Sequence, residues 1–138
     1  MGLDMYAYTA AKAGEEKEYW DHCQFDPESR EYVNTKGFEK PRELAYWRKH
    51  PNLHGWMEAL YRSQGGTAEM FNGVELELTW DDIDRLEKVV KKRQLPSTTG
   101  FFFGRDADRE YYSKDIEFIQ AARTELFCGL KVFYNSSW

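Results

Sequence analysis

At the start of the chain Leu3, Met5 and Ala7 alternate with Asp4, Tyr6 and Tyr8, the two-residue period of a strand whose faces meet different surroundings. Residues 11–37 break that pattern. They are polar and acidic, with Tyr19, Trp20 and Phe25 scattered among Glu15, Glu16, Glu18, Asp21, Asp26, Glu28 and Glu31, and read as a long irregular excursion pinned by aromatics. Residues 42–48 fit a strand or a short helix. Pro51 and Asn52 then open a helix in which Leu53, Trp56, Met57 and Leu60 recur at i, i+3, i+4 and i+7, and Gly65-Gly66 stops it. Val74, Leu76 and Leu78 alternate with Glu75, Glu77 and Thr79 as a strand. Thr79 with Asp82 forms a capping-box start for a helix carrying Ile83, Leu86, Val89 and Val90 on one stripe, ended by Leu95-Pro96. Phe101, Phe102 and Phe103 are apolar on every side, which predicts a buried strand or a loop pushed inside. From Asp108 to Cys128 a third helix is expected, with Tyr112, Ile116, Ile119, Arg123 and Leu126 on one side and Asp106 or Asp108 as its cap. Val132, Tyr134 and Trp138 against Phe133 and Asn135 suggest a terminal strand. Strands and helices mix without a repeating βαβ rhythm. The expectation is a single α+β domain over residues 1–138, about three helices packed on one face of a small, largely antiparallel sheet.

Composition narrows the function more than the fold. The 138 residues suffice for one core, and five Trp, nine Tyr and nine Phe exclude a disordered chain. Lys plus Arg number 19 and Asp plus Glu 24, a net charge of −5, which argues against a protein that coats nucleic acid. The basic run Lys88, Lys91, Lys92 and Arg93 has no aromatic inside it and reads as a solvated helix end. No apolar stretch approaches the length of a membrane span, and the first residues lack the basic front and apolar middle of a secretory signal, so neither a membrane association nor export is expected. Cys23 and Cys128 are too few and too far apart for a disulfide framework; both read as free thiols, Cys128 as a small buried hydrophobe.

The richest cluster of candidate chemistry is Trp47, Arg48, Lys49, His50, His54 and Trp56. Arg48 and Lys49 precede a helix N-terminus, where unpaired N–H groups favour an anion, and His54 one turn in is a candidate general acid or base. On the structural reading, Trp47 and Trp56 are core, Arg48 pairs with an acidic neighbour and His54 hydrogen-bonds to a backbone carbonyl. His50 and His54 have the i, i+4 spacing of a metal pair, with His22 and Cys23 as remaining ligands, but Pro51 pushes His50 out of helical conformation, so no metal or other cofactor is expected. Asp81, Asp82 and Asp84 are capping charge. Gly100 and Gly104 flank bulky apolar residues and form no phosphate loop, and no serine or cysteine sits in a nucleophile elbow.

Three blocks together resemble a group of small proteins of bacteriophages and prophages: the opening GLDMY, the Ala45–Lys49 block continuing to His54-Gly55-Trp56-Met57, and Leu95-Pro96 through Gly100–Gly104 to Glu110-Tyr111-Tyr112. Pro51 stands where the group often has Asn, and Arg105 replaces its usual small residue after GFFFG. The resemblance implies an accessory protein in the cytoplasm of a bacterial host and no particular activity. The expected role is a non-catalytic binding module for a host or phage macromolecule, a protein rather than a nucleic acid, using aromatics among Trp47, Trp56, Phe101, Phe102, Phe103, Tyr111 and Tyr112 as core or interface. The alternative is a small enzyme or ligand binder for a phosphate- or carboxylate-bearing substrate, held by Arg48 and Lys49 with His54 moving a proton. An enzyme predicts Arg48, His54 and a tyrosine in one pocket; a binding module predicts an exposed aromatic patch.

Overall fold

The computed structural model describes residues 2–138. Four strands form one sheet: β1 (Asp4–Ala10), β4 (Arg42–Arg48), β5 (Leu76–Leu78) and β6 (Lys131–Ser137), in the order β4-β1-β6-β5. Every pairing is antiparallel. The alternation at the start of the chain becomes a two-faced central strand. Met5 and Ala7 join Trp47, Val132, Tyr134, Leu76 and Leu78 in the main core, while Tyr8 and Ala10 meet Phe133 in a smaller cluster. The main core is closed by three helices: α2 (Pro51–Ser63), α3 (Trp80–Lys91) and α4 (Asp108–Phe127).

The architecture is α+β, with four helices among the described residues rather than three. The addition is α1 (Glu15–Asp21), a two-turn helix inside the stretch that reads as irregular. After it, β2 (Cys23–Asp26) and β3 (Glu31–Asn34) pair as a separate hairpin. The turn is local chemistry: the Asp26 carboxylate accepts from the Glu28 amide and the Ser29 hydroxyl, and Arg30 takes the left-handed conformation. Strands of four residues with exposed side chains carry too weak an alternation to be read from composition.

The capping box at α3 is formed as expected, Thr79 accepting from the Asp82 amide and Asp82 from the Thr79 amide. On α4 the buried residues are Asp115, Phe118, Ile119, Ala122 and Glu125; of the expected side Ile119 is among them, Tyr112, Ile116 and Leu126 pack half-buried against the core, and Arg123 turns to α3. Asp106 accepts from the Asp108 amide just before that helix. The 101–103 segment is a turn. Phe103 is buried, Phe102 half-buried and Phe101 94% exposed, because Gly100 and Gly104 fold the chain back and leave room inside for one ring. Cys128 is exposed at the end of α4, one residue past its last turn, so it is not a core residue. In α2 Gly55 permits close approach of the following loop: a Cβ there would stand 1.8 Å from the Thr98 hydroxyl oxygen. That loop is anchored beside it, the Thr98 amide donating to the Asn52 side chain.

Candidate functional site

The WRK segment leaves the sheet at Arg48 and turns sharply at Lys49, which has φ of 60°, a left-handed conformation that a side chain rarely adopts. Opposite it, Gly104 has φ of 79°, and a Cβ there would press within 3.1 Å of the Lys49 side chain. A recess of about 230 Å³ opens between them, lined by Arg48, Lys49, Arg105, Asp106, Glu110 and Tyr111. Arg48 and Lys49 thus share a surface depression with a tyrosine. Its charge, however, is nearly balanced. Asp106 and Glu110 face the three cations, and Arg48 is bound to Asp4 at 2.8 Å. Asp4 also accepts from the Tyr46 hydroxyl, and that bond, followed by Arg48, holds its carboxyl below the usual range. Tyr111 is spoken for as well: its hydroxyl donates to the Arg48 carbonyl at 2.7 Å and its ring stacks on His50.

His54 does not belong to this recess. It is fully buried between Phe71, Phe103, Tyr134 and Trp138, with ring centroids 5.0–6.4 Å away. Its Nδ1 lies 2.6 Å from the Tyr134 hydroxyl, and burial pushes its pKa down to about 4. The expected pairing of His54 with Arg48 and Lys49 is therefore corrected: a residue one turn into α2 points at the sheet, and the N-terminal cations point away from it. His54 Nε2 has no partner.

His50, weighed in the sequence only as a metal ligand, lies closer. It too is fully buried, and its Nε2 is 2.8 Å from Asp115. The other Asp115 oxygen accepts from the Trp47 indole at 2.9 Å. His50 Nδ1 is directed toward Asp108 at 3.8 Å, beyond hydrogen-bond reach, and both atoms are unpartnered. Burial, first of all, raises the Asp108 carboxyl. A line of carboxylate, imidazole and carboxylate thus runs beneath Tyr111, but the imidazole is sealed from the recess. His50 and His54 face different partners, and among the described residues no group of three or more His, Cys, Asp or Glu is placed to hold a metal ion.

No family model matches the chain, no curated protein matches its sequence and no solved structure matches its fold. The site must therefore be judged on its own geometry. The remaining aromatic candidates divide between interior and surface. Trp47 is buried edge-on against Phe118; Trp56 is half-buried and lines a cleft of about 460 Å³ between α2 and α3, whose rim carries Lys88 and Lys92 of the basic run. Tyr112 is half-buried under the Arg93 guanidinium, 4.8 Å from its ring centroid. Phe103 and Trp138 meet edge-on beside His54.

The exposed aromatics lie mainly elsewhere. Of the ten exposed large hydrophobic side chains among the described residues, Trp20, Phe25, Tyr32, Val33 and Phe38 all fall in residues 20–38, which places the apolar surface on α1 and the hairpin rather than on the WRK segment. Phe25 and Tyr32 are cross-strand partners with centroids 5.5 Å apart, and Trp20 reaches Tyr32 edge-on at 6.1 Å. Among the described residues no helix is long and apolar enough to cross a membrane.

Proposed function

We propose that the protein is a phage- or prophage-encoded accessory protein that acts as a non-catalytic binding module for a protein partner. The observation that carries this reading is the contiguous exposed row Trp20–Tyr32–Phe25. Aromatic rings of this kind supply large contact area at small entropic cost and serve as anchors where an interface is desolvated. The stretch that carries the row, residues 11–41, holds eight Asp and Glu against five Lys and Arg, so the partner surface it fits is apolar at its centre with an excess of basic groups around it. The GLDMY, WRK and GFFFG blocks support the phage or prophage assignment. The enzyme reading loses its proton carrier with His54 buried and unable to reach Arg48 or Lys49.

The test is affinity capture from phage-infected cells with the wild type and with a Phe25→Ser, Tyr32→Ser variant. Both substitutions replace exposed rings, so the far-ultraviolet spectrum and Tm are expected to stay unchanged while a captured protein disappears. That protein should carry a basic surface and be released by raised salt. Equal capture by the folded variant would refute the docking surface.

A further inference from the structure

The second face of the sheet carries a feature that partner docking does not require. Tyr6 and Tyr8, two positions apart on β1, point to the same side. Trp20 of α1 stands across from them, and Pro41 closes the gap, leaving a recess of about 400 Å³ into which Glu16 and Glu43 project. The walls are fixed from behind. The Tyr8 hydroxyl donates to Glu75 at 2.6 Å, Tyr8 stacks on Phe133, and Tyr6 leans on Tyr46 at 5.3 Å. Glu75 also accepts from the Gly14 amide, which ties the start of α1 to the sheet and holds the Trp20 wall in place.

Rings present a negative face to a cation, and a carboxylate beside them supplies the counter-charge; together they select an ammonium group over a neutral one of the same shape. The chain already places one such cation at the recess. Lys40 places its Nζ 5.2 Å from the centroid of the Trp20 ring, where it also offsets part of the Glu16 charge. One lysine head fills little of the recess, and two carboxylates face that single cation. Glu16 is half-buried, and desolvation raises its carboxyl, the condition in which a further cation gains most from pairing with it. We infer that the Tyr6–Tyr8–Trp20 recess is a binding site for an alkylammonium group, with Lys40 as a tethered occupant of the Trp20 face that an external cation displaces.

The site shares Trp20 with the exposed aromatic row but differs from that docking surface in that its ligand is a small group and its other walls include the sheet. Two sources supply this chemistry: a free organic amine, or the side chain of a lysine, methylated or not, on another protein. The experiment is a calorimetric titration of the full chain with choline and with its uncharged isostere 3,3-dimethylbutan-1-ol. Choline is expected to bind at least about tenfold more tightly. Trp20→Ala, at an exposed position, should fold and lose that binding; Glu16→Gln should weaken it several-fold, and Lys40→Met should tighten it several-fold by emptying the ring face. Choline binding no better than the isostere, or unaltered by Trp20→Ala in a folded protein, overturns the site. An unchanged or weaker affinity in Lys40→Met overturns the tethered occupant. A second arm with N-acetyl-lysine methylamide and its trimethylated form separates the sources: tighter binding than choline assigns a protein side chain, weaker binding a free amine. The hairpin variant Phe25→Ser, Tyr32→Ser should keep choline binding even where capture is lost, so failure of one proposal is distinguishable from failure of the other.

Discussion

An imidazole enclosed by four aromatic rings is tolerated in the fold only while it is neutral. His54 meets Phe71, Phe103, Tyr134 and Trp138 and offers its Nδ1 to the Tyr134 hydroxyl. Its pKa falls from the ordinary 6.5 to about 4 because burial disfavours the charged form. A group whose folded value is depressed contributes stability that is present above the unfolded value and lost as pH falls toward the folded one. For His54 the window is pH 6.5 down to about 4, and the loss across it is about 3 kcal/mol, on the order of a third of the stability of a typical domain. Urea unfolding at pH 7, 5.5 and 4 should show this slope in the wild type. His54→Gln, which cannot titrate, should be less stable at pH 7 yet lack that part of the pH dependence; equal slopes in the two proteins would mean that His54 is charged in the fold.

Asp115 links three elements through one buried carboxylate. It accepts from Trp47 on β4 and bonds to His50 at the entry to α2, from a position in the middle of α4. Removing it strands two buried polar partners, each at about 1–3 kcal/mol. Asp115→Ala should therefore destabilise by about 3 kcal/mol and lower Tm by roughly 10 °C. Arg123, which bridges α4 to Asp84 and Glu87 on α3 at a more exposed position, should cost about 1 kcal/mol or less when replaced by Ala. Calorimetric melting of the two variants checks the order; a milder effect for Asp115 would show that the buried link is not structural. This link also marks the limit of what the sequence discloses. The β1 alternation, the α2 stripe and the Thr79–Asp82 box are local patterns, and all three are legible because their physics lies within a few residues. Asp115 breaks the apolar period of α4 because its partners lie 65 and 68 residues away, so its burial is not legible from the stripe of Tyr112, Ile116, Ile119 and Leu126 that packs on the core beside it. The sequence leaves His54 open between a hydrogen-bonded structural residue and an acid or base beside Arg48, for the related reason that its ring environment comes from Phe71, Phe103, Tyr134 and Trp138, all distant along the chain.

The molecule is closed by its first and last strands: β1 lies between β4 and β6, paired with residues 42–48 on one side and 131–137 on the other. Thr9 and Arg42 face one another across the β1–β4 pair, so residues 11–41 leave and re-enter the sheet at nearly one point. None of the residues of the main core comes from that stretch; its cover lies over Tyr8 and Phe133, on the other face. The excursion is thus an appendage of the domain. Replacing residues 11–41 by a short Asn-Gly turn, a connection suited to antiparallel neighbours, should leave a cooperatively folding domain that retains the His54 and Asp115 environments. Uncovering Tyr8 and Phe133 should cost about 2–4 kcal/mol. The shortened chain should lose both partner capture and choline binding, since Phe25, Tyr32, Trp20 and Glu16 all leave with the excursion. Chemical denaturation followed by near-ultraviolet circular dichroism checks this: a sharp transition with the signal of buried Trp47 intact is the expected result. A broad, non-cooperative transition would show instead that α1 and the hairpin are needed to complete the core.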